Sequence, residues 1–273
     1  METKNELTVF QGQTFEVVLP SGAIAVIREH SAADDDILTV RSKAKTPAED
    51  FIGNMNKYVA AILQNKPYEP ESSAKPTLKD VENLRLKDKH YIIFQSRILS
   101  IGETLEIEHT CSDETCKVKE IYEIDLKEYD RDLTLPIEEL KELQDEDKLC
   151  IMPYPKGYQE STFEVRLSSG KTVILEYLNG HGENFVLQQN KRNDLKASSE
   201  IISRRPKIEV DGTLHEIKNV NIFSKRDKVE ISKAIKENDQ QFAMSAIITC
   251  DHCGNIEYLP LITLQDFFFP EEM

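Results

Sequence analysis

Over Thr14–Gly22 the apolar residues Phe15, Val17 and Leu19 stand two apart, which places them on one face of a strand. SerGly then makes a turn, and Ala23–Arg28, rich in Ile and Val, is the return strand of a β-hairpin. The alternation recurs at Phe163, Val165 and Leu167, with a return strand over Lys171–Tyr177. Between the hairpins the period becomes helical. Thr46, Pro47 and Glu49 read as an N-cap, an N1 proline and a capping-box acid, and Phe51, Met55, Tyr58 and Ile62 follow at helical spacing until ProTyrGluPro. Asp88 and Asp227 read as N-caps of two further helices, one carrying Ile92, Ile98 and Leu99, the other Ile231, Ala234 and Ile235. Thr104–His109 and Gln241–Thr249 read as strands that run straight into cysteines.

These elements follow one another twice in the same order. ThrPheGluValValLeuProSerGly at Thr14–Gly22 matches ThrPheGluValArgLeuSerSerGly at Thr162–Gly170, identical at seven of nine positions with an offset of 148. From Leu78 to Cys111 the offset is 139: Lys79, Val81, Asp88, Lys89, Ile92 and Cys111 fall on Lys218, Val220, Asp227, Lys228, Ile231 and Cys250. Matching order over two stretches indicates an internal duplication whose second copy is nine residues shorter in its middle. The first copy's helix at Thr46–Ile62 has no clear counterpart, and Asp194–Ser203 is the candidate for a shorter version. The expected fold class is α+β: two tandem related domains, each a hairpin plus helices and a zinc-ribbon-like β-knuckle. Residues 1–130 form the first unit, 131–160 an acidic, proline-containing linker with a short helix, and 161–273 the second unit.

The cysteines carry the clearest chemistry. Cys111 and Cys116 are separated by SerAspGluThr, and Cys250 and Cys253 by AspHis, each pair lying between a strand that enters and a strand that leaves. A short loop between two cysteines turns both sulfurs towards one point, and zinc takes four ligands in a tetrahedron. Packing of the two copies against each other would let Cys111, Cys116, Cys250 and Cys253 complete one four-thiolate zinc site. Two other readings of these residues stay open: a redox pair, although the thioredoxin type sits at a helix N-terminus rather than between strands, and ordinary reduced thiols. His109 and His252 are candidates to replace a sulfur, while Cys150, without a neighbouring cysteine, reads as a small apolar residue.

Charge and composition narrow the function. With 34 basic and 49 acidic residues the net charge is 34 − 49 = −15, which disfavours nucleic acid as a partner. No apolar run reaches the roughly 18 to 20 residues that span a bilayer, and the N-terminus has no signal-peptide pattern, so no membrane contact is expected and the chain is expected to stay in the cytosol. P-loop, nucleophile-elbow, HExxH and dinucleotide motifs are absent, so neither an enzyme nor a small-molecule substrate is expected. AsnGlyHisGlyGlu at Asn179–Glu183 reads as a flexible turn, with a catalytic loop around His181 as the alternative, and Asp34–Asp36 as a solvated helix start. The row Phe267, Phe268 and Phe269 is a candidate partner-binding tail, with plugging of the chain's own core as the alternative.

Taken together, Thr249, Cys250, Cys253 and Gly254, the alternating strand after them, the AspPhePhePhePro tail at Asp266–Pro270 and the LeuProSerGly hairpin at Leu19–Gly22 resemble the T4-type bacteriophage baseplate protein family, which includes the baseplate hub assembly protein of contractile-tailed phages. The resemblance implies a non-enzymatic structural or assembly protein of the tail baseplate that contacts other tail proteins. It would act in the host cytoplasm, with a possible place in the finished virion. Cys250, Cys253 and the tail match the family pattern, whereas Cys111 and Cys116 depart from it by two residues. The rival readings are a zinc-ribbon adaptor and an acidic DNA mimic that binds a host complex.

Overall fold

A computed structural model describes residues 12–42, 46–130, 133–135, 139–140, 151–191, 198–210, 212–242, 245–261 and 267. Strands β1 (Thr14–Val18) and β2 (Ile24–Arg28) form the first hairpin, followed by α1 (Ala32–Thr39), α2 (Pro47–Ile62), α3 (Leu78–Asn83) and α4 (Leu86–Ile101). Strands β3 (Thr104–Thr110) and β4 (Lys119–Asp125) close this half as an antiparallel pair. The second half opens with β5 (Thr162–Arg166) and β6 (Thr172–Glu176), then α5 (Gly180–Lys191), α6 (Ser199–Ile202), β7 (Lys207–Val210) and β8 (Thr213–Glu216). It ends with α7 (Lys225–Asn238) and the antiparallel pair β9 (Ser245–Thr249) and β10 (Ile256–Pro260). The fold is α+β: β5, β6, β7 and β8 form a four-stranded sheet in that order, and the other strands form two-stranded sheets.

The two opening hairpins are built alike. Leu19 donates its amide to Ala23 and accepts from Gly22, and Leu167 repeats both bonds with Lys171 and Gly170. Gly22 and Gly170 sit at φ +78° and +83°, a left-handed turn that the matching SerGly pairs permit. Each turn also docks on a helix. Asp88 of α4 accepts the Ser21 amide at 3.0 Å, and the Ser169 hydroxyl helps hold the equivalent Asp227 of α7 below the usual carboxylate range.

Several local expectations are corrected. Asp88 and Asp227 occupy the third helical position, not the N-cap; Arg85 and Ser224 are the caps, and Ser224 with Asp227 makes a capping box. AsnGlyHisGlyGlu is not a flexible turn, because Asn179 accepts the amides of His181 and Gly182 and so starts α5. Helix α2 has the expected capping box but stops at Ile62, ahead of ProTyrGluPro, where Leu63 bridges to Ile27. Asp34 is not solvated; it is 1% exposed and takes both Arg28 guanidinium nitrogens at 2.7 Å.

The hydrophobic cores do not follow the expected boundary. One gathers the first hairpin, α2, α4, β3 and β4, and also Phe242, Ala246, Ile248, Leu259, Leu261 and Phe267 from the end of the chain. The other is built from the β5–β6 hairpin, Ile201, Ile217, Val220, Phe223 and α7. Apolar residues of β9 and β10 therefore share a core with those of β3 and β4. Within 131–160, Ile151 enters the first core and Tyr154 the second, while most of the expected linker helix lies outside the described residues.

The N-terminal turns of α4 join the halves through buried cations. The Arg85 guanidinium lies over the rings of Tyr154 and Tyr177, at 4.6 and 3.9 Å, and donates to the carbonyls of Lys156, Gly157 and Glu160. Lys87 donates to Met152 O at 2.9 Å, and burial pushes its ammonium down to about 8. Lys89, 1% exposed, meets Glu183 of α5 and Asn56 of α2.

Candidate metal centre

Strand β3 ends at Thr110 and Cys111 follows; β9 ends at Thr249 and Cys250 follows. Cys111 donates its amide to Val118 O and Cys250 donates to Asn255 O, both at 2.9 Å, so each loop closes with the same bond. The residue after the second cysteine is left-handed in both, Lys117 at φ +49° and Gly254 at φ +72°. This turn aims both sulfurs of a knuckle to one side. Amides also point at sulfur: Asp113 N–H at Cys111, Cys253 and His252 N–H at Cys250, and Asn255 N–H at Cys253.

The two knuckles face one another. Cys111 Sγ lies 3.6 Å from Cys253 Sγ, and Cys116 Sγ 3.7 Å from Cys250 Sγ. All four sulfurs fall within 4.8 Å of one another, and all are free thiols. The structure thus brings together the four sequence-selected cysteines in one group that could hold a metal ion. Without a cation so many sulfurs cannot all ionise. The Asn255 amide draws Cys253 towards the thiolate, but burial and the three neighbouring thiols outweigh it and push that group up to about 12. Burial also raises Cys111, whereas the amides of Cys253 and His252 help pull Cys250 down. A bound cation reverses this balance and favours four thiolates.

Around the sulfurs, each knuckle sends a glutamate to the other. Glu257 on β10 accepts the Ser112 amide at 2.8 Å, meets His109 Nε2 at 3.0 Å and accepts from Asn255 Nδ2 at 3.0 Å. The Ser112 amide and His109 hold its carboxyl down to about 2. Glu120 on β4, 137 residues earlier, meets His252 Nε2 at 3.2 Å and accepts from Tyr122 OH at 2.8 Å. Asn255 Nδ2 also reaches Cys111 Sγ at 3.8 Å. His109 and His252 thus pair with carboxylates and are not in the four-sulfur group.

Glu120, Glu257 and Asn255 were missed by the sequence reading, although the offset that aligns Cys116 with Cys253 also aligns the two glutamates. Phe267 is fully buried in the first core, so it packs inside the molecule rather than facing a partner; Phe268 and Phe269 lie outside the described residues, as does Cys150. His181 lines a cleft of about 510 Å³ beside α6, with Arg205 and Glu216 also on its wall. Among the described residues no helix is long and apolar enough to cross a membrane. No family model, curated protein or solved structure matches the chain.

Proposed function

We propose that Cys111, Cys116, Cys250 and Cys253 hold one structural zinc ion, and that the chain is a non-enzymatic structural or assembly protein of a bacteriophage tail baseplate. The observation that carries the metal reading is the convergence of four thiols from two loops about 140 residues apart. A tetrahedral ion with zinc–sulfur bonds of about 2.3 Å separates its sulfurs by about 3.8 Å. The Cys111–Cys253 and Cys116–Cys250 separations of 3.6 and 3.7 Å fit that size. Four protein ligands leave no open coordination position, which favours a structural ion over a catalytic one. Such an ion supplies folding free energy, roughly 10 to 16 kcal/mol on the apparent scale of structural zinc sites.

The baseplate reading rests on the resemblance of the hairpin, second knuckle and tail. It agrees with an acidic protein whose buried chemistry ties chain segments together. In this reading the partners are other tail proteins, met in the host cytoplasm during assembly. Metal analysis of purified protein should give about one zinc per chain, and Cys250→Ser should abolish it together with cooperative melting. Metal-free protein whose stability ignores chelators would refute the shared site. Imaging of purified baseplates and assembly intermediates tests the second half of the proposal: the chain should occupy density in one or the other, and its absence from both removes the baseplate reading.

A further inference from the structure

Helix α7 is the counterpart of α4 at the offset of 139, and the two helices differ along one face. Leu86, Lys89, Phe94 and Arg97 of α4 correspond to Lys225, Lys228, Lys233 and Lys236 of α7. The α4 residues are 8, 1, 0 and 2% exposed. Phe94 packs edge-on against Phe242 at 5.6 Å, and Lys89 reaches the carboxylate of Glu183. In α7 the same stripe lines an open groove of about 600 Å³ beside α6, with Ile201 and Val229 between the lysines. Val229 is 61% exposed. From Lys225 to Lys236 the stripe runs for about 16 Å at 1.5 Å per residue.

Lys225 with Lys228 and Lys233 with Lys236 stand three residues apart, where like charges on a helix repel one another. Lys233 has a loose contact with Glu237 at 3.8 Å, and among the described residues Lys225, Lys228 and Lys236 make no ion pair. A cation that finds its carboxylate in the first half, Lys89, thus has a counterpart, Lys228, that finds none in the second.

A surface of opposite sign lies on the outer face of the β3–β4 hairpin. Glu106, Glu108, Glu123 and Asp125 are exposed there around Ile121, which is 68% exposed. Glu106 and Glu123 are direct cross-strand partners, an arrangement of like charges that costs stability. Lys119 on that face pairs with Glu108, and Lys127, paired with Glu103, interacts with Asp125. Glu106 and Glu123 have no counter-cation among the described residues. A seven-residue strand spans about 20 Å, close to the length of the lysine stripe. Each surface carries an exposed β-branched aliphatic amid charges mostly of one sign, and the dominant signs are opposite.

We propose that the groove lined by Lys225, Lys228, Lys233 and Lys236 in one copy takes the outer face of the β3–β4 hairpin of a second copy. Association relieves like-charge repulsion on both surfaces and buries Val229 and Ile121. A second copy is favoured over an unrelated acidic protein because both complementary surfaces belong to the same chain. Because the surfaces differ, the contact is heterologous and builds head-to-tail rings or filaments rather than a twofold dimer. None of the charged residues on either surface is a cysteine, although Cys111 and Cys116 lie in the loop of the same β3–β4 hairpin.

Sedimentation of the full chain at low and high salt tests this. The protein should form larger species at low salt and dissociate as salt screens the contact. Lys228→Glu/Lys233→Glu and Glu106→Lys/Glu123→Lys should each be monomeric, and a mixture of the two should assemble again because the repulsive surfaces become complementary. The neutral pair Lys228→Gln/Lys233→Gln, which also weakens association, serves where a reversed charge lowers the melting temperature. Wild-type protein that stays monomeric at low salt, or folded single-surface variants whose mixture does not recover assembly, would overturn the proposal. An unrelated partner on the groove would give the first of these results.

Discussion

Knuckle β3–β4 carries four residues between its cysteines, and knuckle β9–β10 carries two. The shorter loop needs little beyond its backbone: the His252 and Cys253 amides face the Cys250 sulfur, and Gly254 donates to Cys250 O at 2.8 Å. The longer loop needs a side chain to hold it. Asp113 Oδ1 accepts from the Thr115 amide and hydroxyl and from the Cys116 amide, and Lys117 Nζ ties back to Ser112 O. Loop length is therefore adjustable, whereas the left-handed residue after the second cysteine is common to both.

The comparison breaks first at the sulfurs. If both knuckles serve one ion, Cys116→Ser and Cys253→Ser should have equal effects despite their unequal loops, each releasing the metal and abolishing cooperative melting; this can be followed by metal analysis and calorimetry. An ion that survives loss of the first knuckle would show that the second binds alone. The next effect in size concerns the left-handed turn. Gly254→Ala should cost about 1–2 kcal/mol, because a Cβ is strained at that φ whatever the space around it. Lys117→Gly should change stability in the opposite direction by less than about 1 kcal/mol, since relief of strain is offset by a freer unfolded chain and the lost Ser112 bond. Both are read from denaturant midpoints.

The crossing glutamates give the smallest contrast. Glu257→Gln should lower the melting temperature more than Glu120→Gln, because Glu257 serves three partners around the Ser112 amide and Glu120 two. The Glu257 carboxyl is held below its ordinary value, so its contribution is complete above about 4.5 and is lost as pH falls towards about 2. The difference between wild type and Glu257→Gln should vanish across that window.

Much of this centre was legible in the sequence because cysteine spacing, flanking strands and internal repetition are all one-dimensional signals. The clustered Cys111, Cys116, Cys250 and Cys253 follow from them, and the hairpins and the capping box of α2 follow from equally local patterns. What could not be read depends on contacts made at a distance. Helix α4 carries Lys87 and Lys89 at 2 and 1% exposure, and nothing in LeuLysAspLysHis says that a carbonyl of Met152 and a carboxylate of Glu183 await them. AsnGlyHisGlyGlu at Asn179–Glu183 reads as a turn after the second hairpin, although it opens α5. Gly180 and Gly182 are there because the backbone of Glu82 and the carbonyl of Ser203 would stand 2.9 and 2.5 Å from an added Cβ. The assignment of β9 and β10 to the first core was equally hidden, since their alternation shows which face is buried but not against what.

That placement of β9 and β10 has a consequence for synthesis. Phe242, Leu259 and Phe267 fill the interior begun by Val17 and Ile27, so the opening hairpin is synthesised well before the residues that complete its core. At about 5–20 residues per second, the opening hairpin and its helices wait many seconds for the residues that cover them. Until then they present apolar surface to whatever holds a nascent chain.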